Sequence, residues 1–300
     1  MTNLKILILS SNTYPSLRNS KVQKKVFSSN ESINNVLWYK GGNPEQLINK
    51  EANLIERDLY VNASDDALGM GDKTIKSFEW MLKNTDFEYL FRTNTSSYFS
   101  YINLLSYIEK NFGNKKYVYA GKIHTTNDSS GNSVNFASGS GYILNRNTVK
   151  KIVENQKHWE HEYWDDVSLG LLLRKLNLKP IDAQRFDIEG NPYKQKIDIN
   201  QYHYRCRIDN HYGYPRLLET FVLNYLSRLH NGKKLNNFLI ILNSTIFEIF
   251  KFFYISQFGW KVFSLIRKVL KLLLPLRVFN FVKKLLQKKI YDFKLVRFKI

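Results

Sequence analysis

At 300 residues, with 43% hydrophobic and 15% aromatic side chains, the chain can fill a sizeable core, which excludes the disordered class. Its net charge of +19 is unevenly placed: residues 231–300 hold 15 basic and 2 acidic side chains, or +13, and residues 1–230 hold 30 basic and 24 acidic, or +6. The single cysteine, Cys206, excludes an intrachain disulfide and a cysteine-based zinc site, and it fits a reducing compartment.

The chain begins "MTNLKILILSSNTYP", where the apolar run 6–9 is too short for a signal-peptide core or a membrane span. A cytoplasmic body is expected. Strands are expected at "KILILS" (5–10), "NVLWYK" (35–40), "DLYVNA" (58–63) and "YLFRT" (89–93), each a β-branched or aromatic run bounded by polar loops. Between the last two, "GDKTIKSFEWMLKN" sets Ile75, Phe78, Met81 and Leu82 at helical spacing, with Asp72 as the expected N-cap. A strand "VYAG" (118–121), a helix over 147–155 and an amphipathic helix over 166–176 follow. Such alternation predicts an α/β fold: a mostly parallel, Rossmann-like sheet flanked by helices.

Two domains are expected, 1–230 for the α/β body and 231–300 for a basic tail. "KVFSLIRKVLKLLLPLRVFNFVKKLLQKK" (261–289) interleaves Lys and Arg with large aliphatics, and Pro275 breaks the helical pattern. That composition suits C-terminal amphipathic helices lying on an anionic membrane surface, and it disfavours nucleic acid as partner. "NFLIILNSTIFEIFKFFYIS" (237–256) is nearly long enough to span, but Glu248 and Lys251 argue against it.

Ligands of open α/β sheets bind beyond the carboxyl ends of the strands, which singles out Arg92, Asn94, Ser96 and Ser97 after "YLFRT". Three further stretches carry chemistry. In "NFASGSGYILNRNTV", Gly139 and Gly141 permit a tight turn and close backbone approach. In "WEHEYWDDVSLGLLLRKL", Asp165 and Asp166 precede a helix and meet its positive end. "YHYRCRIDNHYGYPR" is dense in His, Arg and Tyr.

In their order, "RNSKVQKKVF", "ALGMGDKT", "YLFRTNTSSYF", "YAGK", "ASGSGYILNRNTV" and "YWDDVSLGLLLRKLNLKP" resemble the successive blocks of glycosyltransferase family 31, the β-1,3-galactosyltransferase and Fringe-like enzymes. The resemblance covers roughly residues 4–215 and leaves the tail without counterpart. It implies a GT-A-like fold and an inverting hexosyltransferase that moves a sugar from a nucleotide donor, commonly UDP-linked, to a glycan hydroxyl. The family's acid-Asp-Val block maps the general base onto Asp166, with Asp165 where Glu is usual.

The family's Asp-x-Asp block aligns with Asn94, Thr95 and Ser96, so neither metal-ligand position carries a charge. Mn²⁺ or Mg²⁺ held by Asn94, Ser96 and a late histidine, His203 or else His211, and metal-independent activity both stay open. Arg18, Lys73 and Arg92 are the cations placed to meet a donor diphosphate, with Asn94, Ser96, Gly139 and Gly141 as further donor contacts; Trp159 and Trp164 are candidate acceptor-stacking residues.

Each assignment has a plainer alternative. Asp166 could only cap a helix, Asn94 and Ser96 could only build a turn, and Arg92 could be a structural ion-pair partner. Lys73 and Arg18 could be solvated charges, and His203 and the tryptophans could be packed. The expected setting is surface-polysaccharide, capsule or lipopolysaccharide synthesis on a glycan or glycolipid acceptor in a bacterial or viral context, with the protein peripheral on the inner membrane face. The alternative function is a non-catalytic sugar-nucleotide or glycan-binding protein on the same scaffold.

Overall fold

The computed structural model describes residues 2–28, 31–48, 50–207, 216, 218–233 and 236–255. Two units are distinguished: residues 2–186 with 200–205, and residues 187–199 with the described residues from 206 to 255.

The first unit is built on a sheet ordered β3-β4-β2-β1-β5-β8-β7-β9. Its strands are β1 (Leu4–Leu9), β2 (Val36–Gly41), β3 (Ala52–Ile55), β4 (Asp58–Val61), β5 (Tyr89–Asn94), β7 (Tyr119–Asn127), β8 (Ser133–Asn145) and β9 (Ile181–Asp182). The strand pairs β1–β2, β1–β5, β2–β4 and β7–β9 are parallel, whereas β3–β4, β5–β8 and β7–β8 are antiparallel. The α/β class is as expected, and the sheet is mixed. β1 and β5 are buried along nearly their whole length, the pattern of strands covered on both faces. Beyond β5, β6 (Ser97–Phe99) pairs antiparallel with β11 (His203–Arg205), and the short strand β10 (Phe186–Asp187) lies between β9 and β11 in the chain.

The helices are α1 (Ser16–Phe27), α2 (Pro44–Leu47), α3 (Met70–Asn84), α4 (Tyr101–Phe112), α5 (Arg146–Glu154) and α6 (Asp165–Lys175). In α3, Ile75, Phe78 and Met81 enter the main core, as their spacing demands, each apolar side chain contributing about 1.5–3 kcal/mol on burial. Asp72 does not cap this helix. Gly69 occupies the N-cap position, its N–H donating to Asp66 Oδ1 at 3.0 Å, and Asp72 lies in the first turn.

Two further expectations are corrected. Helix α6 is not amphipathic: from Val167 to Leu173 every side chain is buried, and Gly170 lies so close to Phe136 that a Cβ would come within 2.5 Å of that residue's own Cβ. Gly139 and Gly141 form no tight turn but sit inside β8, opposite β5.

In the second unit, α7 (Leu218–His230) buries Val222, Leu223 and Leu226. Helix α8 (Asn237–Ile255) buries Phe247, whose ring meets Phe221 edge-on at 6.5 Å. Asn191 Nδ2 donates to Ser244 and to Glu248 Oε1. Among the described residues no helix is long and apolar enough to cross a membrane. The expected amphipathic stretch 261–289 lies outside the described residues.

Candidate active site

The carboxyl end of β5 is where the candidate residues gather. Asn94 closes the strand, and its side-chain oxygen accepts from the Ser96 N–H at 2.9 Å and the Ser97 hydroxyl at 3.4 Å. Its amide nitrogen donates across to the Gly139 carbonyl at 3.2 Å, and Ser97 Oγ donates to the Ser140 carbonyl at 2.8 Å. The block after β5 is therefore an Asx turn stitched to β8. Ser16 and Thr95 hydroxyls, 3.3 Å apart, tie the start of α1 to the same turn.

Glycine at 139 and 141 is explained by what faces each Cα. A Cβ on Gly139 would stand 3.0 Å from Asp166 Oδ2, and one on Gly141 would stand 2.4 Å from the His203 ring. The glycines are needed for close approach to side chains within an extended strand.

The first turn of α6 is thereby brought against β8. Asp166 Oδ2 accepts from the Gly139 N–H at 2.6 Å, and Oδ1 accepts from the Val167 N–H at 3.0 Å. Burial, with the neighbouring Asp165 carboxylate adding to it, pushes Asp166 up to about 6, although the two N–H donors and Arg92 pull the other way. A half-buried carboxylate at a helix N-terminus, titrating near neutrality, is equipped to accept a proton.

Arg92 is 1% exposed. Its guanidinium donates to Asp165 Oδ2, to the Gly139 carbonyl and, at 2.8 Å through Nε, to the Tyr39 hydroxyl. Its Cζ also stands 5.3 Å from the centre of the Tyr142 ring. The Asp165 charge holds it firmly protonated despite its burial. Arg92 is thus a buried ion-pair partner, not a cation open to a donor diphosphate. Lys73 is likewise no solvated charge: it is 2% exposed, 3.5 Å from Asp65 and within reach of the Asp66 carbonyl. Burial lowers its pKa, which Asp65 partly restores. Arg18 is half-buried, hydrogen-bonded to the Tyr14 hydroxyl and stacked on that ring.

His203 is buried, filling the space that Gly141 leaves, with Phe91 edge-on at 5.2 Å. His211 lies outside the described residues. Trp159 belongs to the main core against Gly71, so it offers no face to a sugar. Trp164 is partly buried, adjoins Asp165 at the N-cap of α6 and packs on Val134, Tyr163, Val167 and Leu171.

The donor set does not fit a resident Mn²⁺ or Mg²⁺. Hard divalent ions favour carboxylate oxygens, whereas the oxygen of Asn94 is committed to its own turn and Ser96 is buried. Among the described residues no group of three or more His, Cys, Asp or Glu is placed to hold a metal. One cation was missed from the sequence: Arg185, whose guanidinium reaches the Ser140 hydroxyl on β8 between the two glycines. It lies in no motif, and only the fold brings it there.

Residues 40–184 match the family described as Galactosyltransferase. The chain is 22% identical over 139 residues to the UDP-GalNAc:beta-1,3-N-acetylgalactosaminyltransferase 2 of Xenopus laevis, a match covering 42% of this chain and 29% of that protein. Among solved structures it is similar to a glycosyltransferase involved in the glycosylation of the major capsid of PBCV-1, at 11% identity and TM-score 0.44, covering 73% of this chain and 99% of that one. A second similar structure is 4-diphosphocytidyl-2C-methyl-D-erythritolsynthase from Anaerococcus prevotii DSM 20548, at 12% identity and TM-score 0.37, covering 61% of this chain and 88% of that one. The galactosyltransferase match takes in β5, β8 and the first turn of α6, and with the Xenopus laevis enzyme it makes the chain similar to glycosyltransferase family 31 over just under half of its length.

Proposed function

We propose that the protein is an inverting glycosyltransferase in which Asp166 is the general base. In the reaction the acceptor hydroxyl gives its proton to Asp166 as its oxygen attacks the anomeric carbon. The bond from that carbon to the donor diphosphate breaks, and the nucleoside diphosphate leaves with the electron pair. A single displacement of this kind inverts the anomeric centre. The observation that carries the reading is the Asp166 carboxylate, pushed up to about 6 and aimed by the Gly139 N–H beside the turn at the end of β5. A UDP-linked donor and a glycan or glycolipid acceptor are the substrates that the family resemblance favours.

Metal-independent turnover is part of the proposal, because the Asx turn leaves no carboxylate at the position of the metal block. Arg18 and Arg185 are the side-chain cations suited to neutralise the leaving diphosphate; both residues are half-buried, whereas Arg92 and Lys73 are enclosed. A panel of nucleotide sugars tested with Mn²⁺, with Mg²⁺ and with chelator examines this directly. Transfer that survives chelation is expected; strict dependence on added metal contradicts it, and no transfer from any donor favours the binding-protein alternative.

We further infer a setting at an anionic membrane surface, in surface-polysaccharide or lipid-linked glycan synthesis. The +13 carried by residues 231–300 supports this, with its cations interleaved among large aliphatics.

A further inference from the structure

Arg92 is one of the largest fully buried side chains, and its carbon and nitrogen atoms lie away from any surface that a donor could reach. What it touches is informative. Two of its nitrogens bridge elements distant in sequence: one bonds Asp165 in the first turn of α6, the other the Gly139 carbonyl on β8. The N–H of the same glycine holds Asp166 Oδ2. Guanidinium, glycine and the two adjacent aspartates therefore close a ring in which the helix is attached to the strand through the proposed base itself and through the residue before it. The ring is backed by Tyr39, whose hydroxyl accepts from Arg92 Nε at 2.8 Å and lies 3.0 Å from Thr74 Oγ1, and Thr74 in turn donates to Asp165 at 3.2 Å.

We propose that Arg92 is a positioning residue: by clamping Asp165 to the Gly139 carbonyl it fixes the first turn of α6 against β8, so that Asp166 faces the acceptor hydroxyl. This rests on the reading of Asp166 as base. The planar fork of Arg is required, since one side chain must satisfy a carboxylate and a carbonyl at once, while the point charge of Lys directs no such fork. The charged groups acting on Asp166 are Asp165 on its own helix and Arg92 from β5, and the Tyr119 phenol stands within electrostatic range from β7.

Steady-state kinetics of Arg92→Lys across a pH series test the role. The expected result is a kcat loss of about 10²-fold, the scale of a misplacement of about 1 Å, with the donor KM unchanged within about twofold. The acid limb of the rate profile is also expected to move. The double variant Arg92→Met/Asp165→Leu removes both buried charges together, and so remains informative should a single substitution fail to fold. It is expected to fold, to lose kcat comparably and to keep the donor KM. A raised donor KM at unchanged kcat would overturn the proposal in favour of direct diphosphate contact, and wild-type kinetics in both variants would overturn it in favour of a purely structural pair. Asp166→Asn in the same assay separates the two claims. Full activity there removes the base itself, whereas an inactive Asp166→Asn beside fully active Arg92 variants removes the positioning role alone.

Discussion

At the scale of single residues, the proposed chemistry rests on two adjacent aspartates in different surroundings. Asp165 is committed to the Arg92 guanidinium and Thr74, and Asp166 is held by backbone N–H groups alone. Burial and the neighbouring charge raise Asp166 to about 6, far enough to make it a useful base near neutral pH. A base must be unprotonated, so kcat/KM is expected to rise with pH through about 6 and level off above it. A limb near the ordinary aspartate value of about 4, or a flat profile, contradicts the assignment. The same shift couples to folding. Stability linked to Asp166 protonation is present below its unfolded value and is lost as pH rises through about 6, so this one group's contributions to activity and to stability favour opposite sides of that value.

At the scale of elements, β8 is the organising strand, because its glycines let a helix and a histidine come within contact of the backbone. Gly141→Ala would drive a methyl to 2.4 Å from the His203 ring, which is itself packed against Phe91. Overpacking of this kind costs about 1–3 kcal/mol. A lowered melting temperature by calorimetry is expected, of about 2–4 °C for each kcal/mol, and an unchanged one contradicts the packing described. The strands β1, β2, β4 and β5 were readable as apolar or aromatic runs, and α3 was readable from its period. Helix α1 was not. Its buried face is Asn19, Ser20, Gln23, Val26 and Phe27, and Gln23 is there to bond the Asn94 and Ser97 carbonyls and to accept from the Trp38 indole. A polar face satisfied by distant backbone leaves no hydrophobic period to detect. The site divides in the same way. Spacing and family resemblance single out Asp166, Gly139 and Asn94, which the fold places side by side, whereas the burial of Arg92, Lys73 and Trp159 depends on contacts between elements far apart in the chain.

At the scale of the whole molecule, charge is segregated towards the end of the chain, +13 of +19 lying in residues 231–300. Helix α8, within that region, already exposes large apolar side chains: Phe238 is 71% and Ile241 65% accessible. If the region binds anionic lipid, the full chain should float with vesicles containing phosphatidylserine, and less so as salt rises, because surface attraction is screened over about 8–10 Å. A truncation ending near residue 230 should stay behind; equal flotation of both forms contradicts membrane binding by the tail. The central claim, that this family 31-like fold transfers sugar with Asp166 as base and without a bound metal, is tested most directly by one comparison. It is the initial transfer rate of wild type and Asp166→Asn in the presence of chelator. The account predicts turnover by the wild type and a loss of about 10²–10⁴-fold in the variant. Equal rates for the two proteins would contradict it.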